Sequence, residues 1–209
     1  MNKYIIEFIG TFFLVMAIGL TGNPLAIGAM LMVMVYVGGS ISGAQYNPAV
    51  TLALWIRGKM NASESVIFMV VQILGATAAA FFVYLLFGKT FSASHGVNTS
   101  INVLKPLAIE AVCTFALALV VLSVATSKKN AGNSYFGLAI GFTVMACAFA
   151  GGPISGGAFN PAVGIGPTMI DTLLGHGGSM KLLWIHIVGP FAGGAIAAVV
   201  YKIANPDEF

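Results

Sequence analysis

One segment occurs twice in this chain. It reads Gly38-Gly39-Ser40-Ile41-Ser42-Gly43-Ala44-Gln45-Tyr46-Asn47-Pro48-Ala49-Val50, and returns as Gly151-Gly152-Pro153-Ile154-Ser155-Gly156-Gly157-Ala158-Phe159-Asn160-Pro161-Ala162-Val163. Each copy is a glycine-rich, irregular stretch that ends in a helix start. Asn is a strong N-cap, and Pro at the first helical position has no N–H to leave unsatisfied. A glycine-rich segment before a capped helix resembles a phosphate loop, but the Lys-Ser/Thr pair that holds phosphate and metal is missing. The surroundings of the two copies decide their role.

Those surroundings are apolar. Hydrophobic residues make up 58% of the 209 and charged residues only 7%, against about a quarter charged in a soluble domain. A polytopic membrane protein follows, embedded in lipid. The net charge of +3 is small and scattered, which argues against a nucleic-acid partner. Cys113 and Cys147 lie in apolar runs and read as small buried hydrophobes rather than a disulfide. Tyr4 to Leu20 has a signal-like length, but Glu7 interrupts its apolar core, so it reads as a retained first span.

A membrane-crossing helix needs about 20 mainly apolar residues. Spans are predicted near Tyr4–Gly22, Leu25–Gly39, Ser65–Phe87, Leu107–Thr126, Tyr135–Ala150 and Leu182–Ile203. The second and fifth dissolve into the glycine-rich motifs. Behind each motif lies a piece too short to cross, Pro48–Ile56 and Pro161–Leu174. Non-helical backbone at membrane depth is tolerated only where protein buries it or it lines a wet cavity. With the N-terminus inside, Lys3, Arg57, Lys59, Lys128, Lys129 and Lys202 are cytoplasmic, six of the nine basic residues, in keeping with the positive-inside rule. The short glycosylation patterns at Asn61-Ala62-Ser63 and Asn98-Thr99-Ser100 carry little weight.

The two halves repeat. Glu7-x-x-x-Thr11-Phe12 opens one and Glu110-x-x-x-Thr114-Phe115 opens the other, with three spans between them. An odd number reverses the direction of crossing, so a single domain over 1–209 divides into inverted repeats at about 1–90 and 105–209, with linker 88–105. The expected class is all-α and integral to the membrane, with six transmembrane helices and two re-entrant half-helices. The two Asn-Pro-Ala starts (Asn47, Pro48, Ala49 and Asn160, Pro161, Ala162) then meet at the midplane.

That meeting point has a definite chemistry. Asn47 and Asn160 offer amide donors, and each half-helix points a positive N-terminal end at the centre, opposing cations and protons. Carbonyls of Gly43, Ala44, Gln45, Gly156, Gly157 and Ala158 are placed to form a ladder of acceptors. A neutral molecule with donors and acceptors passes such a line cheaply, whereas an ion loses its hydration shell. Glu7 and Glu110 have no basic residue nearby as a relay partner, so they read as anchors for the glycine-rich loops. His95, His176 and His186 show no metal-ligand spacing, and neither a metal nor another cofactor is expected. No nucleophile–base constellation points to an enzyme.

With these motifs in view, the chain resembles the aquaporin (major intrinsic protein) family over essentially its whole length. The carriers are the Asn-Pro-Ala pair, Glu7 and Glu110, Gln72-x-x-Gly75-Ala76, and Gly189-Pro190-Phe191-x-Gly193-Gly194. The resemblance implies a right-handed bundle, one pore per subunit and a homotetramer in the cell membrane. It also implies a second constriction at Ile27, Ala148, Gly157 and Val163. The family usually has Arg where this chain has Val163, and glycerol-conducting members follow that Arg with Asp, where this chain has Gly164. Two readings stay open: a narrow water pore with a hydrophobic mouth, or a wider path for glycerol, urea, ammonia or peroxide. A membrane adhesion or scaffolding protein that keeps the fold is a further alternative; it would show large apolar outer loops, whereas the outer segments here are short and polar.

Overall fold

The computed structural model describes residues 1–98, 100, 102–175, 177 and 179–208. Thr99, in the second glycosylation pattern, and His176 lie outside the described residues. Eight α-helices account for most of the described chain: α1 (Asn2–Thr21), α2 (Pro24–Gly38), α3 (Pro48–Ile56), α4 (Ala62–Phe87), α5 (Leu104–Thr126), α6 (Phe136–Ser155), α7 (Pro161–Leu174) and α8 (Ile185–Ala204). Five of them are long and apolar enough to cross a membrane, whereas α2 is shorter, at 15 residues.

Local chemistry sets the helix starts. Asn23, Asn47, Asn61 and Asn160 each accept a hydrogen bond from a backbone N–H of the first turn. Pro24, Pro48 and Pro161 follow three of them at the first helical position. Gly22, Gly88 and Gly156 end α1, α4 and α6 in the left-handed region, where a side chain would cost about 1–2 kcal/mol.

The packing repeats from half to half. In the first, α1 lies against α4; in the second, α5 lies against α8. Between halves, α2 meets α6, while each half-helix crosses to the other half's last span, α3 to α8 and α7 to α4. Small residues allow these contacts, as expected in lipid, where close van der Waals packing replaces the hydrophobic drive between helices. A Cβ on Gly75 would stand 2.4 Å from Phe8 O, and one on Gly193 would stand 2.2 Å from Ala111 O. Gly28 and Gly141 face each other's carbonyls across α2 and α6 in the same way. Outward-facing Leu85, Leu104 and Ile203 are largely exposed and present an apolar surface to lipid.

The largest departure from the expected spans is in α6. α6 was expected to end at Ala150, but the helix runs through Gly151-Gly152-Pro153-Ile154 to Ser155. Gly151 is buried close to the Phe159 ring and Ile109, so its lack of a side chain serves packing rather than chain irregularity. In the first half α2 stops at Gly38, and the amides of Ile41 and Ser42 both turn back to the Gly38 carbonyl.

Candidate functional site: a central pore

The two half-helices meet end to end. Asn47 Oδ1 accepts from Ala49 N and Asn160 Oδ1 from Ala162 N, each at 2.9 Å, so both side chains cap their own helices. The remaining amide groups cross over. Asn47 Nδ2 donates to Phe159 O and Asn160 Nδ2 donates to Tyr46 O, again at 2.9 Å each. This reciprocal pair brings the two half-helices together by their N-terminal ends.

A buried carboxylate supports each loop. Glu7 Oε1 accepts from Ser42 Oγ at 2.6 Å and Gln45 N at 3.0 Å; Oε2 accepts from Tyr46 N and Gln72 Nε2, both at 2.8 Å. Glu110 repeats the scheme with Ser155 Oγ at 2.6 Å, Ala158 N at 2.9 Å and Phe159 N at 2.6 Å. These bonds hold residues that cannot relax into regular structure: Ala44, Tyr46 and Phe159 all have positive φ.

The carboxylates differ in their last neighbour. The sequence places no basic residue near Glu110, and the structure corrects this expectation. His186 Nδ1, on α8, lies 3.3 Å from Glu110 Oε1, and both side chains are fully buried. The contact is close but off the line of a hydrogen bond, and Nε2 also has no hydrogen-bond partner among the described residues. The two residues are far apart in sequence, so only the fold brings them together. A signal was nevertheless present: Gln72-x-x-Gly75 and His186-x-x-Gly189 occupy matching places in the two halves.

The Asn pair faces a cavity of about 140 Å³. Ile27, Ala148, Gly157 and Val163 all line it, so the structure gathers these four positions around one space. Gln45, Gly156 and Ala158 line it as well, whereas Gly43 lines a neighbouring vestibule and Ala44 lines neither. The proline and alanine of each Asn-Pro-Ala are buried behind the Asn side chains. No charged side chain is among the described residues lining the cavity.

The far ends of the half-helices are tied by groups of opposite sign. Arg57, at the end of α3, donates to Thr126 Oγ1 at 2.7 Å and to Glu208 Oε2 at 2.8 Å. Ser127 and Tyr201 hydroxyls, with Arg57, hold the Glu208 carboxyl down at about 2. Asp171, near the end of α7, accepts from Thr90 and Ser179 hydroxyls and lies 3.1 Å from His95 Nε2. None of these distant pairings is marked by local sequence pattern.

The whole arrangement matches a known family. A family model described as Major intrinsic protein matches residues 1–201. Curated relatives include Aquaporin NIP1-1 of Oryza sativa subsp. japonica, 36% identical across 97% of this chain and 74% of that protein. Aquaporin TIP2-3 of Arabidopsis thaliana is 34% identical across 88% of this chain and 71% of its own. Among solved structures, the aquaglyceroporin from Plasmodium falciparum superposes with a TM-score of 0.85 at 23% identity, covering 99% of this chain and 98% of that one. This chain belongs to the major intrinsic protein family. It is a multi-pass membrane protein of a channel family, with no enzymatic role in that family's repertoire.

Proposed function

We propose that this chain conducts water and other small uncharged solutes passively while turning back ions and protons. The observation that carries this reading is the reciprocal Asn47–Asn160 arrangement, which aims two helix N-termini into a cavity with no charged lining. Each end carries roughly half a positive charge, and no anionic side chain among the described lining residues compensates it. A cation there meets repulsion and loses hydration; a neutral solute meets amide donors. Asn47 and Asn160 are the central pore residues in this reading. Carbonyls of the loop residues supply acceptors, and Glu7 and Glu110 keep the loops in place.

A broader solute range has a specific support. Ile27, Ala148, Gly157 and Val163 bring neither charge nor side-chain hydrogen bonds to the space they share. Such a mouth admits solutes by size rather than by polarity. The homotetramer, the cell-membrane location and the cytoplasmic termini complete the proposal, supported by family membership and by the distribution of basic residues.

Stopped-flow light scattering on proteoliposomes tests it, with an impermeant osmolyte, glycerol and urea run separately. Faster shrinkage than empty vesicles is expected, followed by re-swelling in whichever solute permeates. Equal shrinkage with and without protein would sink the channel reading. Val163→Arg is expected to lower the glycerol-to-water ratio; an unchanged ratio would show that Val163 does not face the conducting path.

A further inference from the structure

Four residues of α6 line the central cavity: Ile140, Val144, Ala148 and Gly152. They stand one turn apart on one face of the helix, in a row about 18 Å long. Their side chains shrink at every step, from Ile through Val and Ala to none at Gly152. Ile140 is buried, whereas the other three are half-buried. In the topology proposed above α6 runs outward, so this wall of the path recedes toward the outer face.

Glycine inside a helix is poorer than alanine, so Gly152 calls for a reason. Its backbone gives none: the other cavity-lining glycines, Gly22, Gly156 and Gly157, have positive φ, and Gly152 does not. Packing gives none either. A Cβ built on it meets no other heavy atom of the described residues within 4 Å, its chain neighbours and own helix turn aside. Pro153 gives part of a reason, because a residue before proline keeps helical geometry more easily without a Cβ. Two more Gly-Pro pairs lie inside helices, however, and neighbours press on both glycines. A Cβ on Gly166 would stand 2.6 Å from Thr77 N, and one on Gly189 would stand 2.8 Å from Glu110 Cβ. Gly39, the counterpart of Gly152 in the first repeat copy, would meet Val35 O at 2.9 Å and the Phe136 ring at 3.1 Å. Of these four glycines only Gly152 opens on unfilled space, on the helix face that lines the cavity.

We propose that Gly152 is a size-determining position of the channel: the side chain it lacks leaves a recess at the mouth for neutral solutes wider than water, such as glycerol. The recess adjoins the four mouth positions. Ala148 lies one turn before it on α6, and a Cβ on Gly157 would stand 3.1 Å from Gly152 Cα. Gly157 is held bare by its positive φ, whereas Gly152 has a backbone that accepts a side chain, so the width at this point is set by residue choice. This role rests on the broader-solute reading given above.

The test reconstitutes the full chain and takes glycerol and water permeabilities from the same vesicles. Pro153→Ala is the reference, since it removes the proline that disfavours a Cβ on the residue before it. On that background Gly152→Ala is expected to lower the glycerol-to-water ratio, and Gly152→Leu to lower it severalfold further. A ratio does not depend on the share of folded channels, so misfolding cannot mimic the fall. Should Gly152→Leu fail to fold, Gly152→Cys takes its place, in a chain carrying Cys113→Ala and Cys147→Ala. Its fluxes are read before and after a membrane-impermeant methanethiosulfonate, and the glycerol flux is expected to fall by more than the water flux. A ratio indifferent to the residue at 152, or modification there that spares the glycerol flux, overturns the recess while leaving a conducting channel intact. A wild type that conducts water and excludes glycerol overturns it as well. A wild type that shrinks no faster than empty vesicles overturns the channel reading itself, and the recess with it.

Discussion

The two halves solve the same folding problem with different surroundings. Both suspend a left-handed loop from a buried carboxylate and end it in an Asn-capped half-helix. The first loop faces an open vestibule: a Cβ on Gly43 would have Gln45 Nε2, 4.0 Å away, as its nearest neighbour. The second is braced by the linker, because a Cβ on Gly156 would stand only 2.0 Å from Ala93 O. Asn98 N also donates to Ile154 O across the same contact. Glu7 takes its fourth hydrogen bond from a neutral amide, Gln72, whereas Glu110 has an ionisable ring beside it. Shared sequence sets the loop geometry; unshared neighbours set how firmly each loop is held.

The largest effects should come from the carboxylates. Glu7→Leu takes the acceptor from three buried donors, on Gln45, Tyr46 and Gln72, and from the half-buried Ser42 hydroxyl, at about 1–3 kcal/mol for each buried one left unsatisfied. Glu110→Leu strands three, on Ser155, Ala158 and Phe159. Both variants should unfold at much lower temperature in detergent, Glu7→Leu the more so; equal midpoints to wild type would show that the loops do not depend on these anchors.

Alanine at the paired glycines sharpens the contrast. Gly43 and Gly156 have φ of 86° and 85°, so left-handed strain of about 1–2 kcal/mol applies to both. Only Gly156→Ala adds overlap with backbone, for about 1–3 kcal/mol more. Thermal unfolding of the two variants should rank them accordingly, and an equal loss would mean that the linker brace contributes nothing.

His186→Gln gives the second half the neighbour that the first half has. A change within about 1 kcal/mol is expected, since an amide does this job beside Glu7. A large loss would show that the imidazole packing, not the partner to Glu110, is what matters there. The smallest effect lies at the far end of α3. Glu208 has its carboxyl lowered from the ordinary 4.5 to about 2, so its hold on Arg57, Ser127 and Tyr201 is complete above pH 4.5. It is lost as the pH falls through about 2. The C-terminal tail should resist pepsin near the upper value and yield near the lower one, while Glu208→Gln yields throughout.

Half-helix boundaries were legible because Asn-Pro is a local signal: Pro48–Ile56 and Pro161–Leu174 stand where the sequence places them. The end of α6 was not, because glycine and proline in sequence look like a break whether they break a helix or let it pack. His186 beside Glu110 and Arg57 beside Glu208 were hidden for another reason. Each is a contact between distant segments, and only an alignment of the two halves, Gln72 upon His186, carries a trace of the first.

The most direct measurement follows water and protons in the same vesicles, which carry a trapped pH-sensitive dye and face an osmotic and a pH gradient together. Two opposed helix N-termini in an uncharged cavity predict rapid shrinkage with the pH gradient preserved. A gradient that collapses in proportion to the protein present, or shrinkage no faster than in empty vesicles, would contradict it.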